Sequence, residues 1–374
     1  MIDSFGRTID YLRISITDRC NFRCIYCMPE DGADISPREE LLSSDEIIRL
    51  CRIGSELGVR NIRITGGEPL VRKDILEIVR SIRNIGSIED ISLTTNGMLL
   101  PQLAMPLKEA GLSRVNISLD TMNPVRFKEI ARRGDLKSVL DGIDAALNSG
   151  LEPVKINVVA LRGKNDDEIA ELAGMSIHRK LHVRFIELMP IDWTTGDASM
   201  SEYFRLSGES TQSNGITLYA RPEESSIALL QRHSSVASGG TLNSHEMRQM
   251  FISYSNIKQI IEAQHGSLET ASVMTKGPAK TFRISGAEGT VGFISQITND
   301  ICATCNRMRI TSDGCLRPCL MAEGEVNLRT PMRNGATDAD IADLFLTTVK
   351  HKPFEHRIED GQAPVGRGMS RLGG

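Results

Sequence analysis

The sequence is poor in aromatic residues and has no excess of positive charge. Phe, Trp and Tyr make up 4% of the 374 residues, with a single Trp. The 44 basic and 48 acidic residues give a formal net charge of -4. With neither a basic balance nor aromatics interleaved among basic residues, the sequence predicts no binding to nucleic acid or to an anionic membrane. An anionic ligand would have to be held by a local cluster of Arg and Lys.

Long apolar runs are also missing. No stretch reaches the length of a membrane-spanning helix, and the first residues lack the apolar core of a secretory signal. We therefore expect a cytoplasmic protein without a cleaved presequence. A hydrophobic content of 40% and a charged content of 25% are typical of a globular protein with one large or two ordinary domains.

Short β-branched runs alternate with helical stretches over the first half of the chain. The candidate strands are 11–17, 61–65, 90–95, 114–120, 154–161 and 182–189, and the candidate helices are 44–57, 73–85, 101–110, 135–149 and 166–178. Strands joined by helical crossovers predict a parallel α/β sheet curled into a partial (β/α)6 barrel. Ligands are expected at the carboxyl ends of its strands.

Composition divides the chain into three parts. Residues 1–200 contain the predicted barrel. Residues 201–275 begin with a stretch rich in Ser, Gly, Thr and Asn, which indicates a variable insertion, and continue into a predicted helix. Residues 276–374 contain short strand-like runs and a second group of cysteines, which predict a smaller α+β domain.

Six of the eight cysteines form two groups of three. The first trio is Cys20, Cys24 and Cys27, and the second trio is Cys302, Cys305 and Cys319. Clustered thiols indicate metal binding rather than a disulfide framework. A closed zinc site would have four ligands, so a zinc-binding regulatory or nucleic-acid-binding protein fits the count less well. A 4Fe-4S cluster held by three thiolates, with one iron left open, fits it better.

The other two cysteines have simpler interpretations. Cys51 lies on the apolar face of a predicted helix and is expected to be a buried small hydrophobe. Cys315 is expected to be a bystander in a turn before a short strand, and the alternative is that it competes as a metal ligand.

Several unusual residues lie in or directly after the predicted strands. Arg13, Arg63 and Lys155 interrupt apolar strand segments, where an unpaired cation is costly, so we expect them to bind an anionic ligand. In TGGEP, Gly66 and Gly67 would allow the backbone to approach a ligand closely.

These motifs resemble those of the radical S-adenosylmethionine superfamily and, within it, the GTP 3′,8-cyclase family of lyases. The resemblance lies on LRISITDRCNFRCIYCMPEDG, RITGGEPLVRKD, CATCNRMRITSDGCLRPCL and the terminal Gly373–Gly374 tail, and leaves out about 195–275. It implies an iron-sulfur enzyme of molybdenum cofactor biosynthesis, which uses S-adenosylmethionine and two 4Fe-4S clusters. Its reaction would convert GTP into (8S)-3′,8-cyclo-7,8-dihydroguanosine 5′-triphosphate.

The resemblance also implies roles for individual residues. The first trio would hold the cluster that binds S-adenosylmethionine, and the second trio would hold an auxiliary cluster. The residues implied for S-adenosylmethionine are Tyr26, Gly67, Ser118 and Met189. The residues implied for GTP are Arg13, Arg63, Thr94, Lys155, Arg307, Met308 and Arg309.

The expected partners follow from the same resemblance. They are an external electron donor, a second copy of the chain in a homodimer, and a cyclic pyranopterin monophosphate synthase acting downstream. The nearest alternative is a peptide-modifying radical S-adenosylmethionine enzyme with an auxiliary iron-sulfur cluster. Such an enzyme would share the first trio and TGGEP, whereas the basic strand residues and the Gly-Gly tail favour the cyclase.

Overall fold

The computed structural model describes residues 1–32, 35–189, 210–213, 216–219, 244–271, 277–298, 301–322, 324–356 and 369–372. Much of the predicted insertion and the Gly373–Gly374 tail lie outside the described residues.

Six parallel strands form the barrel, as the sequence predicts. They are β1 (Tyr11–Ser15), β2 (Asn61–Thr65), β3 (Asp90–Thr95), β4 (Arg114–Ser118), β5 (Val154–Ala160) and β6 (Leu181–Glu187). Each is paired in parallel with the next along the chain. The crossover helices are α1 (Ser44–Glu56), α2 (Ile75–Arg83), α3 (Leu100–Glu109), α4 (Pro124–Ala131), α5 (Leu136–Asn148) and α6 (Ile169–Gly174).

Helix α1 illustrates how local sequence sets these elements. The Ser43 side chain accepts a hydrogen bond from the backbone of Glu46, whose own side chain accepts one from the backbone of Ser43. This reciprocal cap fixes where the helix begins. Apolar residues at helical spacing then face the sheet, and Cys51 among them is fully buried. The interpretation of Cys51 as a core residue is confirmed.

The second half of the chain adds further strands and helices. The strands are β7 (Ser210–Ser213), β8 (Ile216–Tyr219), β9 (Glu269–Thr270), β10 (Lys280–Arg283), β11 (Thr290–Ile294), β12 (Arg307–Ile310), β13 (Cys315–Arg317) and β14 (Val326–Asn327). The helices are α7 (Ser244–Gln249), α8 (Tyr254–His265), α9 (Arg329–Arg333), α10 (Asp338–Lys350) and α11 (Met369–Leu372). In the described part of the chain, no helix combines the length and apolar character needed to cross a membrane.

The C-terminal strands extend both edges of the barrel sheet. Strand β12 pairs in parallel with β1, and β11 pairs in parallel with β6. Strands β13 and β14 continue one edge, and β10 and β9 continue the other, which gives a 12-stranded sheet, while β7 and β8 pair with each other in a separate two-stranded sheet. An open barrel would leave the N–H and C=O groups of β1 and β6 unpaired, and the C-terminal region pairs them. The region predicted as a smaller domain therefore shares the sheet of the barrel.

Candidate active site

A cavity of about 680 Å³ lies inside the curved sheet. Its walls include the segments that directly follow β2, β3, β4 and β6, which is the carboxyl-end location predicted for a ligand. All three cysteines of the first trio line it, and so do Ile301, Thr304 and Leu320, which neighbour the cysteines of the second trio. The cavity is therefore lined by the first trio itself and by sequence neighbours of the second trio.

The first trio is a compact turn after β1. The backbone N–H of Cys27 donates to the carbonyl of Cys24 at 2.9 Å, and that of Phe22 donates to the Cys20 sulfur at 3.3 Å. Burial raises the pKa of Cys20 to about 12 and that of Cys27 to about 11. Burial, Asp120 and the two neighbouring thiols together raise the pKa of Cys24. A bound metal would lower these thiol pKa values, because it stabilises the thiolate form directly.

The first trio supplies the kind of donor that an iron-sulfur cluster takes. Among the described residues, no three Cys, His, Asp or Glu side chains are grouped so that they could hold one metal ion. Three soft thiols facing a cavity suit a 4Fe-4S cluster, which is larger than one ion and whose fourth iron can remain open to a small molecule.

The glycines of TGGEP permit a close approach between two loops. A Cβ at Gly66 would lie 2.6 Å from the carbonyl oxygen of Thr17, and one at Gly67 would lie 2.4 Å from that of Arg19. The backbone of Gly67 instead donates to Thr17 at 2.7 Å, and that of Glu68 donates to Arg19 at 2.8 Å. The close approach expected toward a ligand is thus made to the segment that leads into Cys20, although Gly67 also lines the cavity.

Glu68 is a site residue that sequence reasoning missed. Its carboxylate is 1% exposed and accepts hydrogen bonds from the hydroxyl of Thr95 at 2.7 Å and the backbone of Asn96 at 2.6 Å. The Asn96 amide donates in turn to Asn21 in the first trio's turn at 2.7 Å. Burial raises the pKa of Glu68 to about 7. The sequence feature that could have identified Glu68 is an acidic residue between Gly and Pro directly after a buried strand.

The residues implied for S-adenosylmethionine lie together. Tyr26, Gly67, Ser118 and Met189 all line the cavity with the first trio. The Tyr26 hydroxyl donates to Oδ2 of Asp120 at 2.7 Å, and Oδ1 of Asp120 accepts from the backbone of Val159 at 2.8 Å. Burial raises the pKa of Asp120 to about 6.

A row of arginines crosses three neighbouring strands. Arg13 on β1 is the register partner of Arg63 on β2 and of Arg309 on β12, and all three line the cavity. In-register residues of parallel strands project from the same face, so the three cations are held side by side. Burial lowers the pKa of Arg309 to about 9, with Arg307 adding repulsion. Burial, Arg309 and Arg63 likewise lower the pKa of Arg13. A polyanion in the cavity would relieve this repulsion.

The other four residues implied for GTP do not all line the large cavity. Arg307 and Thr94 line the cavity, and the buried Thr94 hydroxyl has no hydrogen-bond partner among the described residues. Met308 is 1% exposed and packs in the hydrophobic core, because the alternation of β12 turns it away from its two arginine neighbours. Lys155 lines a small adjacent cavity instead, and burial and nearby cations lower its pKa to about 6.

Arg184 on β6 was also missed. It lines both cavities and donates to the side-chain oxygens of Asn116 at 2.7 Å and Asn157 at 2.5 Å. Burial lowers its pKa to about 9. Arg184 interrupts an apolar strand just as Arg13 does, so the same sequence argument could have identified it.

The second trio lies beside the arginine row. Burial opposes ionisation of Cys305, but Arg307 and Lys352 outweigh it and lower the pKa of this thiol to about 7. Cys305 and Cys319 both interact electrostatically with Arg309, and the backbone of Met321 donates to the Cys319 sulfur at 3.4 Å. An ionised thiol in this setting is a good ligand for an iron-sulfur cluster. Cys315 is the first residue of β13 rather than part of the turn before it, and it is 4% exposed.

Comparison with known proteins identifies the family. Residues 14–175 match the model of the radical SAM superfamily, and residues 238–358 match that of Molybdenum Cofactor Synthesis C. The chain is 41% identical to the GTP 3′,8-cyclase of Petrotoga mobilis, with both chains fully covered. It is 43% identical to those of Heliobacterium modesticaldum and Moorella thermoacetica, again with full coverage of both chains.

The solved structures that resemble the chain are more distant. Streptococcus suis SuiB bound to S-adenosylmethionine aligns with a TM-score of 0.47 and 14% identity, over 90% of this chain and 68% of that chain. The match over the full length of the curated relatives identifies the family, and it leaves the zinc-binding alternative without support. The chain belongs to the GTP 3′,8-cyclase family of the radical S-adenosylmethionine superfamily.

Proposed function

We propose that the protein converts GTP into (8S)-3′,8-cyclo-7,8-dihydroguanosine 5′-triphosphate in molybdenum cofactor biosynthesis. The observation that carries this proposal is the row of three in-register arginines, Arg309, Arg13 and Arg63, in the same cavity as the first cysteine trio. The names of its full-length relatives give the same activity.

The arginine row would bind the triphosphate. The sequence has no GxxxxGK phosphate loop, so the phosphates must be held by side-chain donors. Guanidinium groups suit this role because they stay charged and donate in pairs to phosphate oxygens. Arg307 and Arg184 add cations to the same cavity wall. Binding would replace repulsion among buried cations with attraction to the substrate.

The first trio would hold a 4Fe-4S cluster, and Tyr26, Gly67, Ser118 and Met189 would surround S-adenosylmethionine. When bound, these groups supply a 5′-deoxyadenosyl radical that removes a hydrogen atom from C3′ of GTP. The chain orients the cofactor through the hydrogen bond between Tyr26 and Asp120. Glu68 joins the loop after β2 to the loop after β3, and so fixes the wall next to the trio.

We also propose that the second trio would hold an auxiliary 4Fe-4S cluster, which its three thiols could ligate with one iron left for a small molecule. Its support is the position of Cys305 and Cys319 beside Arg309 and of Ile301, Thr304 and Leu320 in the cavity wall. The remaining partners are proposed on the family pattern. They are an external reductant, a homodimer, and a cyclic pyranopterin monophosphate synthase acting downstream in the cytoplasm. Light scattering of the purified protein tests the dimer.

Product analysis tests the proposed reaction. The anaerobically reconstituted protein is incubated with GTP, S-adenosylmethionine and dithionite, and its products are identified by mass spectrometry. We expect 5′-deoxyadenosine together with a cyclised nucleotide of unchanged mass relative to GTP, and no cyclised product from ATP. Iron-loaded protein that leaves GTP unchanged would overturn the proposal. A peptide modifier would also gain no protection from proteolysis when GTP is added.

A further inference from the structure

Arg7 joins the N-terminal segment to the second cysteine trio. The residue is 9% exposed, and its Nε donates to Asp3 at 2.6 Å. One terminal nitrogen donates to the carbonyls of Cys302 and Phe354, both at 2.7 Å, and the other donates to the carbonyl of Pro353 at 2.7 Å. A planar guanidinium held at four acceptors has little freedom to move. Arg7 therefore connects the backbone of Cys302 to the N-terminal segment and to residues 353 and 354.

Lys352 makes the corresponding contacts with the other two cysteine segments. It is 3% exposed, and its ammonium donates to the carbonyl of Arg307 at 2.9 Å and to that of Pro318 at 2.5 Å. Arg307 follows Cys305 by two residues, and Pro318 directly precedes Cys319. Because Arg7 binds the carbonyls of residues 353 and 354 next to Lys352, the two cations form one continuous arrangement, which we call the cation clamp (Arg7 and Lys352).

We propose that the cation clamp positions the second trio for its iron-sulfur cluster by holding one backbone carbonyl at, or within two residues of, each of the three cysteines. Arg7 and Lys352 are positioning residues, since they act on the ligands through backbone carbonyls. This inference rests on the auxiliary cluster of the proposed function.

The two cations differ in the charge they bring. Arg7 forms a buried ion pair with Asp3, so its charge is compensated and its contribution is geometric. The ammonium of Lys352 has two carbonyl acceptors and, among the described residues, no carboxylate within ion-pair distance. Its charge is therefore available to offset three thiolates and a reduced cluster. Net charge near a cluster also sets its reduction potential, so loss of Lys352 should make the second cluster harder to reduce.

Iron content tests the clamp separately from activity. Wild-type protein reconstituted anaerobically should bind about eight irons, four in each cluster. Arg7→Lys removes the multidentate contacts, and Lys352→Met removes the charge and both hydrogen bonds. We expect each variant to keep about half of the wild-type iron and to lose the electron paramagnetic resonance signal of the second cluster. Each should still form 5′-deoxyadenosine from S-adenosylmethionine and dithionite, which reports an intact first site, while the cyclised nucleotide is lost.

Two further variants complete the design. Lys352→Arg, which keeps the charge and the donors, should restore most of the second signal. Lys350→Met changes an exposed lysine on the same segment and should match the wild type in iron content. The proposal would be overturned if Arg7→Lys and Lys352→Met both had the iron content and the spectra of the wild type. It would also be overturned if both clusters were lost together, because that result would indicate a general role in folding. Wild-type protein with only half of the expected iron would instead refute the auxiliary cluster itself, and the clamp with it.

Discussion

The hydroxyl of Tyr26 donates a 2.7 Å hydrogen bond to Oδ2 of Asp120, and the other carboxylate oxygen is held by the backbone of β5. Tyr26, which directly precedes Cys27, is thus fixed by a carboxylate that lies two residues after the end of β4. This relationship links the conformation of the cofactor site to the barrel scaffold.

Asp120→Ala should weaken binding of S-adenosylmethionine. A hydrogen bond to a charged acceptor is worth about 1.5–3 kcal/mol, so we expect the KM for S-adenosylmethionine to rise about tenfold or more. Iron content should stay unchanged, because Asp120 is not among the implied ligands. Steady-state kinetics at saturating GTP measure the effect, with Asp141→Ala on the exposed face of α5 as the control. An unaltered KM for the cofactor would argue against this role of the pair.

Arg63→Ala should weaken binding of GTP. Removal of one charge-assisted contact to phosphate should raise the KM for GTP about tenfold to a hundredfold, at about 1.5–3 kcal/mol per contact. The turnover of S-adenosylmethionine without substrate should be unaffected. Equilibrium dialysis with GTP gives the affinity directly, and Arg52→Ala on the exposed side of α1 is the control. Equal GTP affinity in the variant and the wild type would contradict the assignment of the arginine row.

Gly67→Ala should disrupt the first cysteine site. The new Cβ would lie 2.4 Å from the carbonyl oxygen of Arg19, a distance that forces the backbone apart. Because that backbone leads directly into Cys20, we expect loss of about half of the reconstituted iron and of 5′-deoxyadenosine formation. Gly86→Ala, where no atom lies within 4 Å of the added Cβ, should behave like the wild type. Full iron loading in Gly67→Ala would show that the loop contact is dispensable.

Glu68 should make the stability of the cluster-free protein depend on pH. Its pKa is raised by burial from 4.5 to about 7, so the folded chain holds this proton to higher pH than the unfolded chain does. The contribution of Glu68 to stability is therefore present below about pH 4.5 and is lost as pH rises toward 7, by about 3 kcal/mol in all. Denaturant unfolding of wild-type protein and Glu68→Gln across this range measures the difference.

The free energy of unfolding of Glu68→Gln should change with pH by about 3 kcal/mol less than that of the wild type over this range. Glu77→Gln, an exposed change on α2, should leave the wild-type profile intact. Parallel profiles for Glu68→Gln and the wild type would mean that the carboxylate does not gain a proton on folding.

Local signals predicted all six barrel strands and five of the six helices between them, because those segments have a clear periodicity; the short helix α4 was not predicted. The interpretation of Arg13 and Arg63 as inward-facing cations was also accessible, since a cation inside an apolar strand needs a partner. The pairing of β11 with β6 and of β12 with β1 could not be predicted in this way, because it joins segments more than a hundred residues apart through backbone hydrogen bonds.

The side-chain contacts in the cavity wall were harder to predict from the sequence for the same reason. The role of Glu68 depends on acceptors from the loop after β3 and on burial, which no single segment encodes. Lys155 interrupts its strand as Arg13 does, but it lies near the amino end of β5 and lines the adjacent cavity, whereas Asn157 two residues later lines the large one. The contact of Arg7 with Cys302 joins residues that are 295 positions apart.

Isotope transfer tests the central claim most directly, namely that GTP lies in the cavity beside the first cysteine trio. The reconstituted protein is incubated with GTP deuterated at C3′, S-adenosylmethionine and dithionite, and the 5′-deoxyadenosine is analysed by mass spectrometry. The account predicts deuterium in 5′-deoxyadenosine and the appearance of a cyclised nucleotide. Unlabelled 5′-deoxyadenosine, formed at the same rate with or without GTP and with GTP recovered intact, would contradict it.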